Sequence, residues 1–330
     1  MSRFSLRILA SAPIFFFLVS SSLVGAEVTC EESETEIVIH RNGQHILSYQ
    51  KSDTVPEGVD PKYARSGFIH PIKTPSGKVL TDDYPLPHHS HQHGIFFAWR
   101  KGTFKGEEVN FWEHTKGTTV RHEKVLGIIN EETTAGFRVQ LAHVHGEETV
   151  LHETWTVLVD AETGFIDFTS EQTCATGSPL ELSKFHYGGM ALRGSRAWVD
   201  LEFEKAQKAA SKNGEEPGIP EPCAIVTNEG KTRIDGNHSQ PEWVSMTGPI
   251  DDEPVSITLI PHPSNYRHPQ HVRLHPNMPY FCFIPTVEEA FQINPGETYV
   301  SRFLIVAEGG EHDPARLEQI RSAYAERSFP

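Results

Sequence analysis

Short strand-like runs, repeated along most of the chain and separated by polar turns, restrict this sequence to an all-β fold. Ile37–His40 and His45–Tyr49 flank Arg41-Asn42-Gly43-Gln44, and Asn-Gly between apolar runs is a strong hairpin signal. Tyr63–Ile72, Ile95–Trp99, Val125–Asn130, Phe137–His145, Thr149–Asp160 and Phe165–Thr173 follow, punctuated by Glu, Thr, Pro and Gly. Trp243–Thr247, Val255–Pro261, Tyr280–Ile284 and Thr298–Ala307 complete the set. The segment Thr154–Val159 is rich in β-branched residues, which fit a pleated, half-buried surface. Helical periodicity is confined to the end, where Asp313 reads as an N-cap, Pro314 as the first helical residue, and Leu317, Ile320 and Tyr324 as an apolar stripe. The expected architecture is a single large antiparallel β-sandwich or barrel over residues 27–330 with one short C-terminal helix. Residues 204–222, polar and rich in Gly and Pro, read as a surface insertion, because strand patterning resumes at Ala224.

The first 26 residues read as a secretory signal peptide: Arg3 and Arg7, an apolar run over Ile8–Val19, then Val24-Gly25-Ala26 at a cleavage point. No later segment is long and apolar enough to span a bilayer as a helix, so an exported protein, periplasmic or extracellular, is expected. The chain carries 29 Lys plus Arg against 44 Asp plus Glu, a net charge of −15. That balance argues against nucleic acid and anionic membrane as partners, since both require a basic footprint. The four cysteines, Cys30, Cys174, Cys223 and Cys282, contain no CxxC pair. Zinc-ribbon and thioredoxin-like readings therefore fail, while export leaves disulfides and buried thiols both open.

Chemistry-bearing residues concentrate in two places. Asp82–Trp99 holds His88, His89, His91 and His93, and 261–276 holds His262, His268, His271 and His275. In an extended backbone His89, His91 and His93 share one face, and neutral imidazoles so placed can ligate a transition metal. This set is the candidate site for a divalent ion; His143-Val144-His145 repeats the spacing. No other cofactor is implied. Trp112 offers an aromatic face for a sugar ring, and Glu113, between Trp112 and His114, becomes a candidate acid or base if burial raises its pKa. Lys184, His186 and Arg193 supply donors around Gly188-Gly189. In the second cluster, prolines stiffen the loop and Arg267 and Arg273 can fix hydroxyls or a carboxylate bidentately. No GxSxG, Walker, GxGxxG or HExxH motif is present.

Taken together, the segments Tyr63-Ala64-Arg65 with Ile69-His70-Pro71, Thr81–Pro85 through His89, His91 and Gly94 to Trp99, Phe111-Trp112-Glu113, Asn228-Glu229-Gly230, Trp243 to Gly248-Pro249, His262–Asn265 and Arg267-His268-Pro269 resemble the DUF6807 family, also described as methane-oxygenase-PmoA-like. The resemblance implies a secreted β-sandwich similar to the galactose-mutarotase-like supersandwich. It implies no methane oxygenase activity, because the methane monooxygenase subunit behind that label spans the membrane many times. His93 stands where many members carry an arginine.

These residues point to a carbohydrate-active enzyme, a hydrolase, lyase or epimerase, acting on a sugar or glycoside held between the two histidine-rich segments. His91, Glu113 and His186 are the expected acid–base residues. Substrate binding is expected from His89, Trp112, Lys184, Arg193, Asn265, Arg267, His268 and His271. Two alternatives fit the same residues: a metal-dependent lyase or oxidase using His89, His91 and His93, and a non-catalytic glycan-binding protein.

Overall fold

Alternation of buried and exposed side chains builds two large antiparallel sheets and one small one. The structure, a computed structural model, describes residues 25–329 apart from position 88 and most positions between 203 and 221. The expected leader up to residue 24, most of the expected insertion, and His88 lie outside the described residues.

Strands are numbered in chain order. The first sheet runs β1 (Val28–Glu32), β2 (Glu36–Arg41), β3 (Gln44–Gln50), β4 (Phe68–Ile72), β5 (Ile95–Ala98), β13 (Gly189–Arg193), β18 (Tyr280–Ile284) and β17 (His271–Leu274). The second runs β14 (Ala224–Thr227), β15 (Val244–Ile250), β16 (Glu253–Pro261), β20 (Thr298–Gly309), β11 (Ile166–Cys174), β10 (Glu148–Asp160), β9 (Thr134–His145) and β8 (Thr118–Asn130). Four short strands make the third: β19 (Phe291–Ile293), β12 (Leu180–Leu182), β6 (Gly102–Phe104) and β7 (Glu107–Val109). The β2–β3 hairpin turns at Asn42 and Gly43, both at positive φ (53° and 73°), as the two-residue primed turn requires.

In β10, Leu151, Glu153, Trp155, Val157 and Val159 are buried while the residues between them are half-exposed. This is the period-2 pattern of a sheet with one face on the core. The centre of the first sheet differs, for β5, β13 and β18 are buried at every position. Phe97 packs toward the second sheet, with Tyr299 of β20 at 6.3 Å between ring centroids. Phe96 points the other way, to Trp112 at 4.8 Å and under the Arg65 guanidinium at 5.4 Å. A second layer of loops thus covers the outer face of this sheet, and the histidine-rich segment belongs to it.

Helix α1 (Pro314–Ala325) starts where the sequence predicts, with Asp313 accepting from the N–H groups of Ala315 and Arg316. It buries Leu317 and Tyr324 against Trp243, Ile260, Leu304 and Val306. All four cysteines are free thiols, and Cys30, Cys223 and Cys282 are buried. Among the described residues no helix is long and apolar enough to cross a membrane.

Candidate functional site

Register across the first sheet lays out a floor. Phe96 lies opposite Ala191, Ala191 opposite Cys282, and Cys282 opposite Arg273. Directly opposed residues share a face, so this row looks outward beneath the loops. The neighbouring row pairs Arg193 with Tyr280. Between this part of the sheet, where Arg273 and Tyr280 stand, and the covering loops a cleft of about 230 Å³ opens. Its walls are His89, His91, Gln92, Trp112, Glu113, His186, Tyr187, Arg273, His275 and Tyr280.

The 82–94 loop delivers His89 and His91 by a turn instead of the extended backbone that would align them with His93. His89 has φ of 67°, and the Gln92 N–H donates to the His89 carbonyl at 2.8 Å. The His89 and His91 rings lie 5.9 Å apart, and His89 meets His275 edge-on at 5.6 Å. His93 turns inward: it stacks on Phe68 at 4.3 Å, and its Nδ1 pairs with Asp83 Oδ1 at 2.6 Å. Gly94 allows this close packing, since a Cβ there would collide with the Ile69 carbonyl oxygen. His89, His91 and His93 therefore do not converge, and among the described residues no group of three His, Cys, Asp or Glu is arranged to hold a metal ion.

Glu113 is set by its own loop. Asn110 Oδ1 accepts from the N–H groups of Trp112 and Glu113 (3.1 and 3.0 Å), and its Nδ2 donates to Glu113 Oε2 at 3.2 Å. Across the cleft, Tyr187 Oη donates to Glu113 Oε1 at 3.0 Å, and Arg100 Nε lies 3.2 Å from that oxygen and 2.9 Å from Tyr187 Oη. Trp112, 1 % exposed, supports the floor edge-on to Tyr187 and Tyr280 instead of offering an open face.

Proton affinities follow from these contacts. Burial, opposed only partly by Glu113, pulls His91 down to about 4. Burial, with His89 and Arg273 nearby, takes His275 to about 2. Burial alone would raise Glu113, but Arg100, Tyr187 and Asn110 outweigh it and hold the carboxyl below its ordinary value. The raised pKa expected for Glu113 is thus reversed, because the sequence gives no sign of Arg100 and Tyr187 arriving beside it. Burial raises the Tyr187 phenol. At neutral pH the cleft therefore holds a carboxylate at Glu113, uncharged imidazoles at His91 and His275, and a protonated phenol at Tyr187.

Seven of the residues singled out by sequence, His89, His91, Trp112, Glu113, His186, Arg273 and His275, line this cleft, with His186 exposed at the rim. The others are elsewhere. Lys184 is exposed outside it. Arg193 is buried behind it, donating to Gln92 Oε1 at 3.0 Å and facing Asp82 Oδ2 at 4.0 Å. Asn265 ties its loop to β20 through both the carbonyl and the N–H of Arg302. Arg267 is spent on the carbonyls of Pro285, Glu289 and Ala290. His268 and His271 line a separate cleft of about 320 Å³. His262 packs under α1 against Tyr324 and Phe329. The second cluster reaches the first only through its last residues, Arg273 and His275. Gly188-Gly189 is a packing device, since a Cβ at Gly189 would strike the Phe283 carbonyl. Tyr187, Tyr280 and Gln92 were not singled out. Tyr187 adjoins that Gly-Gly pair, whereas the other two carry no local signal. A larger hollow of about 560 Å³ is lined by His70, Asp82, Asp83 and Arg196; burial raises its Asp83 to about 7, and that carboxyl is paired with the buried His93.

Residues 36–321 match DUF6807, a family of unknown function, and the chain belongs to that family. The matched description names no oxygenase. No curated protein sequence matches the chain. Similar solved structures include an alpha-N-acetylgalactosaminidase from Bifidobacterium bifidum, at 10% identity over 92% of this chain and 38% of that one, with a TM-score of 0.39. A heparan sulfate lyase mutant from Pedobacter heparinus gives 9%, 92%, 38% and 0.39. A galactose mutarotase related enzyme from Lactobacillus acidophilus gives 8%, 87%, 98% and 0.37. The chain spans 38% of the length of the first two. At these values the likeness supports no transfer of activity.

Proposed function

We propose that this DUF6807 member is an exported carbohydrate-active enzyme that binds a sugar in the 230 Å³ cleft and transfers protons at its ring or glycosidic carbon. The observation that carries the reading is the convergence of His91, Glu113, Tyr187 and Arg273 on one opening. An uncharged His91 can accept a proton, and the ionised Glu113 beside it can stabilise the imidazolium that forms. Glu113 and Arg100 grip the Tyr187 hydroxyl and fix its orientation. His91 takes the base role ahead of His186, whose ring leans on Phe185 and Tyr187 (4.4 and 4.8 Å) at the exposed rim. Tyr187 presents aromatic surface to the sugar's C–H groups, and His89, Gln92 and His275 supply hydrogen-bonding partners for its hydroxyls. The leader-like N-terminus supports export.

General acid–base groups contribute about 10²–10⁴ in rate. An oligosaccharide panel with mass detection of products is the test. The wild type is expected to convert at least one member, and His91→Ala is expected to slow conversion by about 10²–10⁴ with an unchanged melting temperature. Saturable binding without any product would replace the enzyme with a glycan-binding protein. Normal turnover in His91→Ala would remove His91 from the chemistry.

A further inference from the structure

One charge in the cleft is left unanswered by the protein. Arg273 projects from β17 on the outward row that includes Cys282, and it is half-buried in the cleft wall. Among the described residues its guanidinium makes no hydrogen bond and no ion pair. The other arginines around the cleft are committed, Arg100 to Glu113 and Tyr187, and Arg193 to Gln92 and Asp82. Glu113 is the one carboxylate among the described lining residues, and Arg100 already neutralises it. The lining histidines add no balancing charge: burial, reinforced by Arg273, lowers both His186 and His275. The cleft is therefore net positive on a chain whose overall charge is −15.

A half-buried guanidinium without a counter-ion calls for an anion of planar, bidentate shape, because its fork of N–H donors matches a carboxylate. We propose that the cleft takes an acidic sugar, a uronic acid residue whose carboxylate is bound by Arg273. This rests on the carbohydrate reading above and narrows it to a substrate class. Charge-assisted bonds of this kind are roughly twice as strong as neutral ones, so the acid group would contribute much of the recognition. The uncharged imidazoles of His91 and His275 can serve the sugar hydroxyls without competing for the carboxylate.

The test is calorimetric titration with glucuronate- and galacturonate-containing oligosaccharides, their neutral counterparts and sulfated counterparts. Wild type is expected to bind the uronates at least tenfold tighter than the neutral sugars. Arg273→Gln should erase that advantage, and Arg273→Lys, which keeps the charge but not the fork, should restore part of it. The wild-type advantage should also shrink as salt rises, which tests the idea without any variant. Equal affinity for neutral and acidic sugars, or an advantage that survives Arg273→Gln, overturns the acidic-sugar inference and leaves the carbohydrate reading standing. A preference for sulfated over carboxylated sugars overturns the carboxylate assignment. Binding of none of the three classes overturns the carbohydrate reading and this inference with it.

Discussion

Two glutamates in this molecule each sit among histidine, tryptophan and hydrogen-bond donors, yet only one is available for chemistry. Glu153 is wholly buried between the sheets. Its Oε1 accepts from Trp155, Ser170 and Gln172 (2.7, 2.5 and 3.1 Å), and its Oε2 pairs with His143 at 2.7 Å. Gln172 is in turn held by the Trp99 indole at 2.7 Å. Every partner is protein and none lines the cleft, and within the network His143 Nδ1 is left without a hydrogen bond. Glu113 has a similar number of partners but stands at an opening, beside an uncharged His91 and an unanswered Arg273. Counting polar partners therefore does not identify a site; what decides is whether the set leaves a vacant direction facing a cavity.

Truncating one member of a buried ionic network leaves the others unpaired, at a cost of about 3–5 kcal/mol, a large fraction of the roughly 5–15 kcal/mol that a domain has. Glu153→Ala should therefore give the largest stability loss, read as a lower denaturant midpoint with unchanged slope. A loss under about 1 kcal/mol would show that the network is not the unit described.

Acid separates the two regions next. Burial holds His91 and His275 uncharged, at about 4 and about 2, whereas in the unfolded chain they titrate near 6.5. The unfolded state then binds more protons, so their contribution is complete above pH 6.5 and is lost progressively as pH falls toward 4. Glu153, depressed below 4.5 against the opposing effect of its burial, contributes above 4.5 and loses that contribution only as pH falls through its lower folded value. Melting temperature against pH should therefore begin to fall near 6.5 in the wild type. His275→Gln, which removes one titrating group, should reduce that early slope.

A smaller effect concerns the second histidine-rich segment. Arg267→Ala removes bonds to three carbonyls of the 285–290 turn and should cost about 1–3 kcal/mol without changing sugar affinity in the cleft. Weakened binding at full stability would place Arg267 back among the ligand-binding residues.

Much of the fold was legible because strands record their burial locally. Thr154–Val159 alternates as written, and Asn42-Gly43 announces its hairpin. The three-residue strands β6, β7, β12 and β19 were not, since three residues contain too little period to read. The cleft was half legible for a related reason. His89, His91, Trp112 and Glu113 come from dense local segments whose chemistry shows in sequence. The 261–276 segment reads as one loop but is divided three ways, among α1, the 285–290 turn and the cleft, by the pairing of β17 with β18. Tyr187 is 74 residues from Glu113, and no local pattern announces their meeting. The pKa direction of Glu113 was missed for the same reason.

The most direct test places Glu113→Gln and Glu153→Ala side by side, with turnover of the sugar found by the panel and melting temperature measured on both proteins. Glu113→Gln is predicted to lose about 10²–10⁴ in turnover at nearly wild-type melting temperature, and Glu153→Ala to melt far lower while its remaining folded fraction turns over normally. A Glu113→Gln protein with full turnover, or a folded Glu153→Ala protein without it, would contradict the division between open site and buried network.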